Sequence, residues 1–440
     1  MKNMIVFTTL FVNRVGNQSM SETIKGYSKY YNIYIITSSS QDEAYYVDFN
    51  NARKNFPKNV YFFRTPQFFH LIIRFLFKLV KRNKNSEIVT KLDTTLINLN
   101  YSFWNLMSFK LSYLLQIIYS LYLLSIRKIK SPDLICAYEI GGVTASVFLK
   151  HIFKKAVLIA KMQGTVLYGY INSGNVNSKS ISLDVEAYMK LKEFDVITMT
   201  NDGTFGDIVL DFFKVKKEQQ IFLTNGISKF MIESKNKLVY SPFKKDLTIK
   251  LTTISRLIGW KRVYLTIELI NEFVNNRNYD NIFLNIYGFG NETEKNVLIN
   301  LIDKYDLNEF VKLNGSVEYQ KVPDILNEAD FLISLYKSTN VTNPLLEAVY
   351  LNVPIISIED VNLLSIINND NNRNTFLFKE DESEMKLIND IADFISKVNI
   401  NKIRSKREEI FRNESNLIMS WEERVELEIN KINEISKQYF

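Results

Sequence analysis

The sequence predicts an α/β fold of two consecutive doubly wound, Rossmann-like domains, and three observations support this class. The chain has 440 residues, more than one hydrophobic core usually organises. Apolar runs of strand length alternate with helical stretches from end to end, which is typical of parallel sheets covered by helices. Hydrophobic residues make up 46% of the chain and only 14 glycines and 7 prolines occur, which excludes collagen-like repeats and long disordered linkers.

The first half contains five apolar runs that we predict to be strands. They are Met4–Thr9, Ile33–Thr37, Asp133–Ala137, Ala156–Lys161 and Val196–Thr200. Helices are predicted over Ser19–Tyr31 and Thr144–Phe153. The first run imitates a signal-peptide core, but no small-residue cleavage site follows it, so we interpret it as a buried strand.

The second half repeats the alternation. The predicted strands are Leu247–Ile254, Ile282–Tyr287, Val311–Asn314, Phe331–Ser334 and Pro354–Ser357. The predicted helices are Arg262–Asn276, Glu292–Tyr305, Val322–Glu328, Pro344–Tyr350 and a charged amphipathic final helix, Met419–Ser436. We therefore predict an N-terminal domain over residues 1–226, joined by the final helix 416–440, and a C-terminal domain over residues 227–415.

The scarce reactive residues exclude several classes of protein. Cys136 is the single cysteine, which excludes an intrachain disulfide framework and a cysteine-based zinc site. His70 and His151 are the only histidines, which argues against histidine-rich metal centres and most Ser-His-Asp triads. The sequence therefore predicts a reduced, cytoplasmic protein.

The net charge of +7 is concentrated between Tyr61 and Lys130. This stretch has eleven Lys or Arg residues against Glu87 and Asp93, and it is rich in large apolar residues. We interpret it as a peripheral surface for anionic lipid headgroups, preferred over nucleic acid because Leu and Ile dominate and no nucleic-acid module is present. Two core helices with solvated basic faces are the alternative. Leu111–Ile126 lacks charges but is shorter than the about twenty apolar residues of a membrane span.

Two short elements have the residue types of a nucleotide site, although the usual phosphate-loop and dinucleotide fingerprints are missing. Gly288 and Gly290 follow a predicted strand, where glycines permit a tight turn and close approach of the backbone to a ligand. Arg256 and Lys261 follow another strand, and a fork-shaped donor with a point charge suits a diphosphate. Glycines also serve ordinary turns and surface cations are common, so neither element alone identifies a site.

A third element is the segment Asn343-Pro344-Leu345-Leu346-Glu347. A proline just inside a helix start leaves neighbouring N–H groups pointing outward, where they bind anions. The Glu347 carboxylate, in the first turn, is placed to accept hydrogen bonds from ribose hydroxyls. The alternative is a simple favourable interaction of Glu347 with the helix dipole.

Taken in order, these elements resemble the donor domain of GT4-type glycosyltransferases, the retaining glycosyl transferases group 1 with a GT-B fold. The matching segments are Thr224–Ile227, Ser255–Lys261, Tyr287–Gly290, Leu313–Val317, Ile325–Ser334, Pro344–Ala348 and Asn352–Ser357. In the first half, Val15–Asn17 lies where the family has its first glycine-rich turn, and Asn201–Thr204 and Ser420–Arg424 also fit.

The resemblance implies that the two domains face each other across a cleft and that the final helix crosses back to the N-terminal domain. A nucleotide sugar is then expected on the second domain and its acceptor on the first, with no metal cofactor. Arg256 and Lys261 are expected to neutralise the diphosphate, and Glu347 to hold the ribose. The remaining residues expected to border the donor are Gly16, Asn17, Gly288, Gly290, Ser316, Val317, Pro344, Leu345 and Leu346.

Two positions depart from the family's pattern. The family has two glutamates eight positions apart, and here Glu347 is the second while Thr339 occupies the first position. We expect this loop still to line the sugar, through Thr339, Asn340 or Asn343. A histidine that often follows the fourth strand of the first domain is absent, and Gln163 lies nearest that role on the acceptor side.

The prediction is therefore a retaining, hexosyltransferase-type glycosyltransferase. We expect it to move a sugar from a nucleotide sugar to a glycan or lipid-linked acceptor, in bacterial cell-surface polysaccharide synthesis at the inner face of the plasma membrane. Two alternatives stay open. One is a catalytically silent partner subunit, suggested by Thr339. The other is a nucleotide-sugar 2-epimerase, which needs acid/base carboxylates and histidines near the sugar.

Overall fold

The structure is a computed structural model that divides the chain into two compact units. One comprises Met1–Thr224 with Trp421–Phe440, and the other Asn225–Ser420. The residues that the structure describes are 1–9, 18–38, 55–66, 103–237, 248–337, 339–360, 363–364, 374–380, 383–413 and 418–437.

The first unit is built on a seven-stranded parallel sheet with the strand order β3-β2-β1-β4-β5-β6-β7. Its strands are β1 (Lys2–Thr8), β2 (Tyr31–Thr37), β3 (Val60–Arg64), β4 (Leu134–Tyr138), β5 (Val157–Met162), β6 (Val196–Thr200) and β7 (Gln220–Leu223). The strand order reverses between β1 and β4, so this is a doubly wound sheet.

Helices cover both faces of this sheet. They are α1 (Gln18–Tyr27), α2 (Phe103–Ser125), α3 (Ile140–Ile152), α4 (Leu167–Asn172), α5 (Ser182–Leu191) and α6 (Gly206–Phe212). Along β1, Met4 and Val6 enter one apolar cluster whereas Ile5 and Phe7 enter another. Strands buried on both faces in this way are continuous apolar runs, which is why they are visible in the sequence.

The second unit has a six-stranded parallel sheet with the order β10-β9-β8-β11-β12-β13. Its strands are β8 (Ile249–Ile254), β9 (Ile282–Tyr287), β10 (Val311–Gly315), β11 (Phe331–Ser334), β12 (Ile355–Ile358) and β13 (Thr375–Phe378). Its helices are α7 (Lys229–Lys237), α8 (Val263–Asn271), α9 (Glu292–Lys304), α10 (Val322–Glu328), α11 (Asn343–Tyr350), α12 (Glu384–Lys397) and α13 (Ile400–Asn413). Here the order reverses between β8 and β11.

The final helix, α14 (Trp421–Ser436), belongs to the first unit. Its residues Val425, Ile429 and Ile432 repeat at helical spacing and enter the apolar cluster on one face of the seven-stranded sheet. The chain thus enters the second unit after Thr224 and returns to the first at Trp421.

The α/β class with two doubly wound sheets is confirmed, and all ten predicted strands are present. Three further strands, β3, β7 and β13, were not predicted because they are short and largely half-buried, without a long apolar run. The helix predicted over Ser19–Tyr31 ends earlier because Tyr31 opens β2. The helix predicted from Arg262 begins at Val263, because Arg262 has a left-handed backbone conformation.

The basic, aromatic stretch from Tyr61 to Lys130 is distributed over several elements, and its role as a lipid surface stays a prediction. Residues 61–64 belong to β3, where Phe62 packs edge-on against Phe56 with ring centres 5.4 Å apart. Residues 67–102 lie outside the described residues. The rest of the stretch is α2 and the segment after it. Within the described parts of the chain, α2 included, no helix is long and apolar enough to span a bilayer.

Candidate functional site

The strand order of the second unit reverses between β8 and β11, and the loops after these two strands meet there. The backbone N–H of Lys337 donates to the carbonyl oxygen of Trp260 at 3.0 Å. The hydroxyl of Tyr336 donates to the carbonyl oxygen of Ile254 at 3.3 Å. In open parallel sheets, ligands bind outside the carboxyl ends of the strands at such a reversal. The fold therefore places Arg256, Lys261 and the loop that begins at Tyr336 at one edge of the sheet, which is a candidate ligand-binding edge.

Lys261 is a buried cation at this edge, with only 7% of its surface exposed. Its ammonium lies 4.0 Å from the centre of the Trp260 ring and 3.7 Å from that of the Tyr336 ring. Aromatic faces attract a cation through their quadrupole and carry no formal negative charge. The two rings thus hold a positive charge at a defined place. Arg256, on the same loop, is exposed.

Arg262 fixes the turn that carries Lys261. Its backbone is left-handed (φ 45°, ψ 40°), an uncommon conformation for a residue other than glycine. The side chain is 2% exposed; Nε donates to the carbonyl oxygen of Leu335 at 2.9 Å, and the guanidinium pairs with Glu380. The sequence analysis missed this residue, since a second cation beside Lys261 resembles any other surface charge.

Gly288 and Gly290 allow the loops after β8 and β9 to touch. A Cβ at Gly288 would lie 1.6 Å from the carbonyl oxygen of Ser255, and one at Gly290 would lie 2.6 Å from that of Leu257. Backbone hydrogen bonds from Ser255 to Tyr287 (2.9 Å) and from Leu257 to Phe289 (2.8 Å) hold the loops together. The glycines therefore shape the loop that bears Arg256, whatever ligand binds.

The loop after β10 joins the same edge. The N–H of Gly288 donates to the carbonyl oxygen of Gly315 at 2.8 Å. Gly315 has a φ of 70°, a left-handed conformation that glycine adopts without strain. A Cβ there would meet no neighbouring atom within 4 Å, so the backbone conformation, and not a lack of space, favours glycine. Ser316 is exposed and Val317 is half-buried.

Asn340 shapes the loop that holds the altered family motif. Its side-chain oxygen accepts hydrogen bonds from the Ser334 hydroxyl (2.9 Å) and the Tyr336 N–H (3.0 Å), and its side-chain amide donates to the Tyr336 carbonyl at 3.3 Å. Its neighbour Thr339 is 7% exposed, and the Thr339 hydroxyl accepts from the Val341 N–H at 3.2 Å. The Asn340 side chain therefore serves its own loop, which holds the Tyr336 ring beside Lys261.

The helix α11 begins at this loop. Pro344 lies in its first turn, and the first intrahelical bond runs from the Leu346 N–H to the Thr342 carbonyl at 2.9 Å. The side chains of Leu345 and Leu346 are 0% and 2% exposed, so only their backbone can reach a ligand. Glu347 is 4% exposed. The Asn343 side chain accepts from the Asn225 amide at 2.8 Å, which ties α11 to the start of this unit.

In the first unit, Glu139 lies at the corresponding reversal between β1 and β4. It follows β4 directly and has φ 61° and ψ 173°, a region that residues other than glycine rarely adopt. One Glu139 carboxylate oxygen accepts from the Gln163 N–H at 2.7 Å, and the Gln163 side-chain amide donates to the Tyr138 hydroxyl at 2.6 Å. Gly16 and Asn17, predicted near this edge, lie outside the described residues.

The pKa of the Glu139 carboxyl is raised, which favours its protonated form. Burial raises its pKa to about 8; the Gln163 N–H opposes this, and the negative charges of Asp202 and Asp184 add to it. Asp202 lies at the end of β6, where it accepts from the Thr204 hydroxyl at 2.6 Å. A half-buried carboxyl with a strained backbone and a raised pKa is typical of a functional position.

The sequence analysis missed Glu139. A signal was present, because a polar residue follows a buried strand and precedes Gly141 and Gly142. A Cβ at Gly142 would lie 2.1 Å from the Phe7 carbonyl oxygen, so this pair lets α3 pack closely on β1. In the parts of the chain that the structure describes, no group of three or more His, Cys, Asp or Glu residues is arranged to hold a metal ion.

Comparison with known proteins agrees with this fold. The solved structure of sucrose-phosphate synthase from Thermosynechococcus elongatus superposes with a TM-score of 0.64 at 11% identity, covering 99% of this chain and 98% of that one. HepE from Anabaena, in complex with UDP and glucose, superposes with a TM-score of 0.61 at 12% identity, covering 99% of this chain and 100% of that one. A mutant form of TarM from S. aureus, in complex with fondaparinux, alpha-GlcNAc-glycerol and UDP, superposes with a TM-score of 0.61 at 15% identity. The match covers 98% of this chain and 100% of that one. No curated protein sequence matches this chain.

These structures share the GT-B fold, which is therefore the fold of this chain. Residues 236–412 match the family model of glycosyl transferases group 1. The chain thus has the GT-B fold, and the segment that is similar to glycosyl transferases group 1 lies in its second unit.

Proposed function

We propose that this protein transfers a sugar from a nucleotide sugar to a hydroxyl group of a glycan or lipid-linked acceptor, with retention of anomeric configuration. The observation that carries the proposal is the buried Lys261 ammonium at the strand reversal of the second unit, between the rings of Trp260 and Tyr336. A preformed positive charge at that edge favours a ligand that becomes more negative as the reaction proceeds.

The reaction we propose needs little proton transfer from the protein at the donor. A nucleoside diphosphate leaves readily once its growing negative charge is stabilised, so electrostatic stabilisation supplies most of the catalysis. We assign that charge stabilisation to Arg256 and Lys261, assisted by the first-turn N–H groups of α11. We assign Glu347 to the ribose hydroxyls, and Thr339 with Asn343 to the transferred sugar.

For the acceptor we propose the edge of the first unit that carries Glu139 and Gln163. A protonated carboxyl both donates and accepts hydrogen bonds, and an acceptor rich in hydroxyl groups offers both partners. The Glu139 backbone strain and its bond from Gln163 fix the direction of that carboxyl. The position of these residues at the β1–β4 reversal supports the assignment.

The finer parts of the proposal are the donor, the pathway and the location. UDP is present in the HepE and TarM complexes, so a uridine nucleotide is the first donor to test for this chain. We propose a GT4-type hexosyltransferase of bacterial cell-surface polysaccharide synthesis, acting without a metal cofactor at the cytoplasmic face of the membrane. A hydroxyl-rich, lipid-linked acceptor would fit this location.

A thermal-shift panel of UDP, GDP and ADP with their sugars tests the donor assignment. A ligand at one hundred times its dissociation constant adds about 2.7 kcal/mol to the free energy of unfolding, so the nucleotide that binds is identified by its shift. Lys261→Met should reduce that shift. Lys304→Met is the matched control, since Lys304 is an exposed lysine that also lies over an aromatic ring, 4.7 Å from the centre of Tyr305. Equal shifts for both variants would contradict the donor assignment.

A further inference from the structure

The helix α2 exposes large apolar side chains along one face. Leu111, Leu114, Ile118 and Tyr122 are 36%, 48%, 54% and 55% exposed. Steps of three and four residues place them on one stripe of the helix. Ile126, just after the helix, is 44% exposed and follows Tyr122 by four residues. We call these five residues the α2 stripe.

The opposite face of α2 is buried and carries polar side chains. Ser112, Gln116 and Ser120 are 8%, 0% and 0% exposed. The Gln116 side-chain amide donates to the Thr8 carbonyl at 2.8 Å and to the Ser38 hydroxyl at 3.0 Å. A helix on a water-facing surface normally turns its polar residues outward. The α2 helix instead buries three polar side chains among apolar ones and exposes the apolar stripe, so its outer face suits an apolar environment.

Cations lie at the C-terminal end of the α2 stripe. Arg127, Lys128 and Lys130 follow the helix, and all three are exposed. No Asp or Glu occurs in residues 103–132. Exposed cations therefore cluster at this end of the stripe.

The neighbouring helix α3 extends this surface. It packs beside α2 and exposes Phe148 and Ile152, which are 42% and 49% exposed. Because α2 leads into β4 and α3 leads from β4 to β5, both helices end at the amino edge of the sheet. The exposed Lys154 and Lys155 follow α3 at that edge, and residues 140–155 contain no Asp or Glu.

We propose that the α2 stripe, with the cations after α2 and α3, docks this protein on an anionic lipid bilayer. The apolar side chains enter the boundary between headgroups and acyl chains, and the cations contact the phosphate groups. Charge complementarity selects this occupant, because a second copy of the chain would bring two positive surfaces together. The helix lies on the bilayer, since its other face packs on the sheet. The proposal does not depend on the glycosyltransferase reaction.

Co-sedimentation of the full chain with vesicles tests this docking. Vesicles of phosphatidylcholine with phosphatidylglycerol should bind it, and vesicles of phosphatidylcholine alone should bind it far less. Replacing Arg127 and Lys128 together by Gln should lower the partition about thirtyfold, as each cation near the surface contributes about 1 kcal/mol. Binding should fall at 1 M salt, where the Debye length is about 3 Å.

The apolar part of the surface is tested by a triple variant, Leu114→Gln, Ile118→Gln and Tyr122→Gln, which should abolish co-sedimentation with anionic vesicles. The control is Met189→Gln with Met385→Gln, since these side chains are 55% and 56% exposed elsewhere. Unchanged thermal unfolding shows that the triple variant is folded. Undiminished binding of that variant, or equal binding to neutral vesicles, would overturn the proposal. A dimer in solution that the triple variant abolishes would also overturn it, in favour of a second copy.

Discussion

The ammonium of Lys261 lies 3.7 Å from the centre of the Tyr336 ring, so a cation from the loop after β8 is held by an aromatic residue from the loop after β11. Asn340 in turn accepts the Tyr336 N–H at 3.0 Å. Part of the altered motif thus positions the residue that holds the cation. The proposed phosphate-binding loop after β8 and the proposed sugar-binding loop after β11 are therefore in contact through Tyr336.

Gly288→Ala should disturb the loop that bears Arg256 and Lys261. The new Cβ would lie 1.6 Å from the Ser255 carbonyl oxygen, a backbone atom, so the loop must move. We expect a loss of about 1–3 kcal/mol in the free energy of unfolding, measured by denaturant titration, and weaker nucleotide binding. Gly259→Ala is the control: no atom lies within 4 Å of its Cβ position, and it should be near neutral. Equal effects of the two substitutions would contradict the packing described for Gly288.

Thr339→Glu introduces the carboxylate that the resemblance to GT4-type glycosyltransferases predicts at this position. We expect a change in sugar preference with nearly unchanged affinity for the bare nucleoside diphosphate. The reason is that hydrogen bonds to a charged group contribute about 1.5–3 kcal/mol and neutral ones about 0.5–1.5. Calorimetry with the nucleoside diphosphate measures its affinity, and calorimetry with several nucleotide sugars measures the sugar preference. Thr339→Ser, which keeps the hydroxyl that accepts from Val341, is the control. Loss of diphosphate affinity in the Glu variant would mean that this loop touches the phosphates.

Much of this architecture could be predicted because strands that are buried on both faces are long apolar runs, as β1 and β4 show. The donor-side loops could be predicted because their residues are close in sequence and follow strands. Glu139 could not be predicted, since its pKa is raised mainly by burial and then by the charge of Asp202, and its partner Gln163 is also distant in sequence. The burial of Gln116 could not be predicted for the same reason, because its hydrogen-bond partners Thr8 and Ser38 are distant in sequence.

Glu139→Gln should change how stability depends on pH. Folding raises the pKa of this carboxyl from 4.5 to about 8, so between these values the folded state binds a proton that the unfolded chain has lost. The free energy of unfolding of the wild type therefore falls as pH rises through this window, relative to the Gln variant. Denaturant titrations from pH 4 to 9 measure the difference, which should level off above about 8. A constant difference would show that Glu139 does not titrate in this way.

Glu428→Gln should be strongly destabilising. Glu428 is 0% exposed and lies 2.7 Å from the Lys161 ammonium, with Arg424 and the Tyr27 hydroxyl also bound to it. Removing its charge leaves buried cations uncompensated, which costs about 3–5 kcal/mol.

The control for this change is Glu422→Gln, on the same helix. Glu422 pairs with Lys29 in an exposed ion pair, and such pairs contribute about 0–1 kcal/mol. Thermal unfolding of both variants compares the contribution of the buried Glu428 network with that of the exposed Glu422–Lys29 pair. Equal melting temperatures would show that the buried network does not hold α14 to the first unit.

Turnover of nucleotide sugars by the purified chain tests the central claim most directly. Released nucleoside diphosphate is measured for UDP-, GDP- and ADP-sugars, with NMR of the first sugar product to identify its anomer. We expect release with one nucleotide, a product that keeps the donor's anomeric configuration, and loss of most activity in Arg256→Ala and Lys261→Ala while Lys304→Met stays active. Release that is equal in all of these variants, or a product with inverted configuration, would contradict the account. No release from any nucleotide sugar would contradict the proposed transfer and favour a catalytically silent partner subunit.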